Sequence, residues 1–420
     1  MHFSSIFHPI GQGCFYSGHL SKGDKHFHFV YDCGSNSSYK FLDEAIDMVV
    51  KHIRSNGRLN LLIISHFDAD HVNGVFDLLV KLPDCDTVVL PYLTPLERLE
   101  IFAAHQEKGK EEDAPDDDGT SLSNRNESIW INFLKNPLMM LREFKVKKVI
   151  FVHGDENGGE GTNDNVPREP DAPERSDEQD RFELTNHLTK ATPPENDTQN
   201  NSDIDVEHCH HHGFLAINNL WYFRFYNEKK KEEKVTAFQE AMKELLVKNK
   251  NDFSELFNEK NRGKISDLYK KHFGNINHTS LSVFHAPVRR SQYKITRFLP
   301  LYDDSGYYYR DGDSPAGTLL TGDSSLLQKN RIDNFTKHYK DELERVYIFQ
   351  VPHHGAVHNW NGNIISHLKN AYCFVINAGN DRKLHPHVDV LKDLLSRVHS
   401  GIILNSEKRA VYNHFNFFKQ

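Results

Sequence analysis

A layered α/β fold is what this sequence predicts, on three observations. Short apolar runs recur in both halves of the chain, stretches with helical spacing follow many of them, and polar residues suited to chemistry cluster just past their ends. In α/β folds the strand ends are where functional loops collect.

Taken in order, residues 1–34 read as a hairpin, and its strand over 28–31 leads into Asp32-Cys33-Gly34. Residues 41–54 have helical spacing, with Leu42, Ile46, Val49, Val50 and Ile53 on one side. Leu61 to Ile64 are branched and apolar, a buried strand. A helix is expected over 75–82, a short strand over 87–90 and another helix from Pro91 to about Ala104. Residues 129–144 read as a helix and 147–153 as a strand. Residues 214–227 form a second hairpin, and 229–273, charged and periodic, two helices of an accessory element. The runs at 281–284, 318–320, 346–351, 373–376 and 401–404 are strands, with helices at 326–338, 361–369 and 388–398.

The chain has 420 residues, 38% of them hydrophobic. That is ample for a large core and low enough to signal polar insertions. Two segments carry the acidic excess, 106–128 with its run Asp116-Asp117-Asp118, and 154–213, rich in Gly, Pro, Asn, Asp and Glu. Both are expected to be flexible insertions within one domain spanning 1–420, whose core halves are 1–105 and 275–420. Without them the charge, −8 overall, becomes positive. A basic remainder permits an anionic substrate. No apolar stretch is long enough to span a bilayer, no secretory leader is seen, and the five cysteines are scattered without a CxxC. The expectation is reduced thiols, a cytoplasmic location and no membrane partner.

The most informative segment is Ser65-His66-Phe67-Asp68-Ala69-Asp70-His71, directly after the strand at 61–64. His66, Asp68, Asp70 and His71 can place two ligands on one metal and two on a neighbour. Imidazole and carboxylate without cysteine suit zinc, with manganese as the alternative, and argue against a purely structural zinc site. Further ligands are expected at other strand ends. Thr321-Gly322-Asp323 supplies a carboxylate that could bridge two cations, and Pro352-His353-His354-Gly355 ends the strand over 346–351. His278 precedes the strand at Leu281, and His385-Pro386-His387 follows the strand ending at Asn377. The tract His208-Cys209-His210-His211-His212 reads as adventitious, and His2, His8, His19, His26 and His28 are given no role.

This set resembles the metallo-β-lactamase superfamily, and more narrowly the hydrolase domain of the DNA-internalisation competence protein ComEC and its soluble relatives. His66 to His71 match the HxHxDH loop with Asp68 in place of its second His, as is typical of that branch. Gly11-Gln12-Gly13, Thr321-Gly322-Asp323, Val351 to Gly355 and His385-Pro386-His387 resemble the branch's GQG, TGD, VPHHG and GHPH. The likeness covers roughly 1–105 and 275–415, and departs at Cys14, Leu384 and Ala356.

It implies an αββα sandwich holding two divalent ions at one sheet edge. His66, Asp68 and His278 would hold the first ion, and Asp70, His71 and His354 the second, with Asp323 between them. Asp32 would orient the metal loop, His353 and His385 would bind substrate or donate a proton, and His387 would contact substrate. Asp70 would also help orient the attacking water. The expected activity is metal-dependent hydrolysis, with a phosphodiester of nucleic acid or a nucleotide favoured over a lactone, thioester or β-lactam. The alternative is a partner-dependent component of a bacterial defence or toxin system, docking through 229–273 or the acidic insertions.

Overall fold

The computed structural model describes residues 1–111, 124–154, 181–194, 203–228, 232–248, 254–257, 259–273, 280–288, 293–298, 315–380, 382, 384–398 and 401–419. The strands of the first half are β1 (His2–Phe7), β2 (Gly13–Lys22), β3 (Lys25–Ser35), β4 (Leu59–Ile63), β5 (Cys85–Pro91) and β6 (Val146–His153). The middle of the chain adds β7 (Leu184–Asn186), β8 (Asp205–His210), β9 (Leu215–Ile217), β10 (Trp221–Tyr226), β11 (Ser282–Pro287) and β12 (Tyr293–Phe298). The last are β13 (Gly317–Leu320), β14 (Val346–Gln350), β15 (Cys373–Asn377), β16 (Gly401–Asn405) and β17 (Val411–Lys419). Helices α1 (Tyr39–Asn56), α2 (Ala69–Val72), α3 (Val75–Lys81), α4 (Pro95–Glu111), α5 (Asn124–Lys135) and α6 (Pro137–Glu143) lie among the early strands. They are followed by α7 (Glu232–Lys248), α8 (Glu259–Phe273), α9 (Lys329–His338), α10 (Lys340–Leu343) and α11 (Val388–Arg397).

The strands form two sheets. One runs β12-β17-β1-β2-β3-β4-β5-β6-β8 and the other β16-β15-β14-β13-β11-β10-β9-β7. Between them lies an aromatic-rich core to which both contribute. Phe3 of β1 stacks on Trp221 of β10 at 4.3 Å, and Phe29 of β3 meets Phe223 edge-on at 4.9 Å. The alternation of β1 explains its part in this, since Phe3, Ser5 and Phe7 are buried while the residues between them are less so. On the outer face of the first sheet Val30, Leu62, Val88 and Val149 pack under α1 and α3 to α8. On the outer face of the second, Leu319, Phe349 and Phe374 pack under α9 and α11. The layers are helix, sheet, sheet, helix: the αββα sandwich. The predicted stripe of α1 is its buried face.

β3 to β6 and β8 are mutually parallel, as are β13 to β16. The connections leaving β4, β13, β14 and β15 therefore all emerge from strand C-terminal ends.

Several expectations are corrected. The N-terminal hairpin is a three-stranded meander, β1 pairing with β2 and β2 with β3, and β1 pairs on its other edge with the distant β17. The helix over 129–144 breaks at Asn136-Pro137, where Asn136 accepts from Met139 N and proline opens a new helix. The helix over 361–369 is a 3₁₀ segment, Gly362–His367. The segment 154–213 is not uniformly loose. β8 extends the first sheet beside β6, and β7 edges the second; backbone pairing to a formed sheet orders a stretch that lacks its own apolar pattern. Of the insertion over 106–128, α4 reaches Glu111, α5 starts at Asn124, and 112–123 lie outside the described residues. The helices of 229–273 are integral to the first outer layer, with Phe238, Met242 and Ile265 fully buried in its core. All five cysteines are buried and unbridged. Among the described residues no helix is long and apolar enough to cross a membrane.

The fold also buries imidazoles. His8 and His285 are inaccessible, and burial depresses each to about 3. Unfolded, they titrate near 6.5. The unfolded chain thus binds more protons below that value, and stability is lost as pH falls from about 6.5 towards 3. Guanidinium midpoints should drop across that window, and His285→Phe should flatten the drop.

Candidate metal centre

The centre sits where those strand ends meet. β4 delivers Ser65, His66 and the short α2 with Asp70 and His71; β13 delivers Asp323; β14 delivers His353 and His354. His66, Asp70, His71, Asp323 and His354 are all buried.

Their geometry is convergent. His66 Nε2 lies 3.4 Å from Asp323 Oδ2, and His71 Nε2 lies 3.2 Å from Asp323 Oδ1. His353 Nε2 is 3.5 Å from Asp323 Oδ2, and His354 Nε2 is 3.2 Å from Asp70 Oδ2 and 3.9 Å from Asp323 Oδ1. Asp323 thus presents one oxygen to the His66 and His353 side and the other to the His71 and His354 side. Two triads of converging ligand atoms result, His66–His71–Asp323 and Asp70–His71–His354.

The opposite nitrogen of each ring is tied down. His71 Nδ1 donates to Asp32 Oδ2 at 2.8 Å, and His354 Nδ1 donates to the Asn377 carbonyl at 2.7 Å. His66 Nδ1 meets Ser65 Oγ at 2.8 Å, and His353 Nδ1 donates to Asn359 Oδ1 at 2.8 Å. Asp32 also accepts from Ser65 N at 2.7 Å and Ser65 Oγ at 2.6 Å, so one carboxylate sets both strand end and ring. Anchored Nδ1 with Nε2 pointing inward is the arrangement by which metal-binding histidines are oriented.

These residues fit divalent ions. His66 Nε2, His71 Nε2 and both Asp323 oxygens are buried and close to one another, yet none has a hydrogen-bond partner. Polar atoms so placed are costly unless something charged completes them. Burial alone would raise the Asp323 carboxyl, but His353, His71 and His66 hold it well below the usual carboxylate range. Burial likewise opposes charge on Asp70, and is outweighed by the hydrogen bond from His354 and then by the charge of His71. Burial disfavours a charged His71, but Asp323 and Asp32 push it well above the ordinary imidazole value. The cluster demands positive charge, which protons or metal ions can supply.

Backbone geometry is special here too. Asp32, His353 and His354 have φ of 55°, 47° and 54°. Left-handed conformation at non-glycine residues costs on the order of 1–3 kcal/mol each and concentrates at functional sites. Gly34 explains itself by approach: a Cβ there would stand 2.6 Å from the His71 carbonyl carbon and 2.7 Å from that of Asp70. Gly13 (φ 151°) backs the same loop, 2.8 Å from the Asp70 oxygen by the same measure.

Other expected residues fall as follows. Asp68 is buried at the N-terminal end of α2 and belongs to neither triad. His278 lies outside the described residues. His385 is half-buried beside the centre, stacked on His353 at 5.8 Å and edge-on to His354 at 6.1 Å. His387 caps α11, its Nδ1 accepting from Asp389 N at 3.2 Å. Cys14 is fully buried behind the centre against Gln350 and Asn377, and burial, then Asp32, pushes its thiol well up. The histidine tract is ordered: His208 and His210 lie on β8, and His211 and His212 approach His338 of α9. Sequence reasoning missed as supports Ser65, Asn359, Asn377 and Ser280, whose Oγ accepts from Asp323 N at 3.1 Å and lies 3.3 Å from His66 Nδ1. Ser65 adjoins His66 and could have been found there; the others have no signal short of the fold.

No family model matches the chain, and no curated protein does. Among solved structures it is similar to the metallo-beta-lactamase fold protein YhfI from Bacillus subtilis, at 10% identity over 98% of this chain and 99% of that one, with a TM-score of 0.36. It is also similar to a long form RNase Z from yeast, at 8% identity over 90% of this chain and 37% of that one, with a TM-score of 0.33. At these values the likenesses add nothing to the layering read from the strands themselves.

Two variants test the supports. Asp32→Asn leaves one oxygen for the three donors of Ser65 and His71 and removes the negative charge behind His71, and metal affinity should fall by about 10- to 100-fold, measured by competition with a chelating dye. Gly34→Ala presses on the metal loop and should cost about 1–3 kcal/mol of stability as well as bound metal, read by denaturation and metal analysis.

Proposed function

We propose that this chain is a metal-dependent hydrolase acting on phosphodiesters, with nucleic acid or a nucleotide as the favoured substrate. The observation that carries the reading is the convergence of four Nε2 atoms on two buried carboxylates, with both Asp323 oxygens left without hydrogen-bond partners. Two divalent ions, zinc before manganese, would supply Lewis acidity and an activated water to such a donor set.

The chain's own groups divide the remaining work. His66 and His353 flank one oxygen of Asp323, and the resemblance adds Asp68 and His278 as candidate ligands of the ion that His66 would hold. His71 and His354 flank the other, with Asp70 against His354 at 3.2 Å, and the role assigned to Asp70 is to orient a water. With His353 drawn to Asp323, His385 is the residue left to protonate the leaving oxygen, being half-buried and in ring contact with His353. Imidazole is suited to that at neutral pH. His387, its Nδ1 engaged on α11, keeps Nε2 for a substrate contact.

The phosphodiester preference rests on the oxygen donor that Asp68 would add to the metal loop in place of a second imidazole, the positive charge outside the acidic segments, and the ComEC-like motifs. Incubating metal-loaded protein with single-stranded DNA, RNA, a chromogenic phosphodiester and nitrocefin should give turnover on the first three. Turnover on nitrocefin alone would replace the substrate class. Asp70→Ala combined with His71→Ala should abolish hydrolysis while far-UV circular dichroism is unchanged; full turnover in that metal-replete variant ends the proposal. His385→Ala should lower kcat by about 10²- to 10⁴-fold with bound metal retained.

A further inference from the structure

A second group of histidines lies on the outer face of the first sheet. His19 on β2 is the direct cross-strand partner of His28 on β3, and His26 lies two residues before His28 on the same strand. Cross-strand and alternate residues share a sheet face. α1 crosses this face and brings His52 onto it, edge-on to His19 at 4.9 Å and to His28 at 5.3 Å. One ring nitrogen from each of His19, His28 and His52 lies within 4.8 Å of the other two. None of the four is part of the centre described above.

From this geometry we infer a separate, mononuclear site for a borderline divalent transition ion, held by His19, His28 and His52. His52 Nε2 lies 3.2 Å from His19 Nδ1. Two nitrogens bound tetrahedrally to zinc at the usual bond length stand about 3.3 Å apart. His28 is 2% exposed, and its Nε2 is buried with no hydrogen-bond partner. An imidazole nitrogen so placed is an unmet polar atom that an ion would satisfy.

One outer support resembles those of the principal centre: His26 Nδ1 sits 2.9 Å from His19 Nε2, the nitrogen turned away from His52. Ligand rings must be neutral to bind a cation. Burial, then the neighbouring imidazoles, lowers His19 and His28 to about 3, so both are neutral across the physiological range. The rings border a cavity of about 60 Å³, leaving room for a water or small anion as fourth ligand. An all-imidazole set selects zinc, nickel or copper and rejects magnesium. Bound there, an ion would join the β2–β3 hairpin to α1, on the strand that four residues later presents Asp32.

Titration of the full chain with Zn²⁺ and Co²⁺, followed by metal analysis and visible absorption, tests this. The exposed, helical His52→Ala variant should bind one ion fewer per chain, or that ion at least tenfold more weakly, with its metal-free thermal midpoint unchanged. The Asp70→Ala, His71→Ala variant should still bind one equivalent at this site, lost on adding His52→Ala. Mg²⁺ should not compete. Unaltered stoichiometry and affinity in His52→Ala overturns the inference and leaves the principal centre untouched. Loss of every ion in the Asp70→Ala, His71→Ala variant overturns it as well.

Discussion

The structure is organised around a buried negative charge. Asp70 and Asp323 are buried where the strand ends of the two sheets meet, and Asp32 stands behind them. Ionised carboxylates in such a place require cationic or strongly polar partners close by. The surrounding chain answers that requirement. Four imidazoles present Nε2 to the carboxylates, and each is held by its other nitrogen to a serine, an asparagine, a backbone carbonyl or Asp32. The rings are preorganised: their orientation is set by the fold, and no side chain needs to be recruited when a cation arrives.

That preorganisation has a backbone counterpart. Asp32, His353 and His354 occupy left-handed conformations, and Gly13 and Gly34 let β2 and β3 come within contact distance of the metal loop. Strain of this kind persists only where neighbouring packing over-determines it. Here the neighbours are the aromatic core between the sheets and the ladder joining β3 to β4. The link from sequence to function runs through this step: small residues permit close approach, close approach aligns strand ends, and aligned strand ends converge the ligands.

The principal centre and the His19–His28–His52 group differ in kind. The principal one mixes imidazole with carboxylate and lies at strand ends, a donor set suited to ions that do chemistry. The other is all imidazole, lies across mid-strand positions of β2 and β3 and under α1, and has its most accessible member on a helix. One sits where loops can admit substrate, the other where sheet meets helix.

Local sequence determined a good deal of this. The apolar runs ending on Asp32, His66, Asp323 and His354 were legible as strands with ligands at their ends, because strand period and loop chemistry are short-range properties. The alternating layers followed from the same runs. Other features depended on residues far apart in the chain. β1 gains half its pairing from β17, β8 is ordered by β6 on one side and by residues 189–191 on the other, and Asn359 and Asn377 acquire meaning only where they meet His353 and His354. His19, His28 and His52 carry no local signal at all, since a cross-strand register and a helix crossing bring them together. Hydrophobic period reports what each segment buries, whereas ligand geometry is a property of which segments meet, and that was decided by the packing of two sheets.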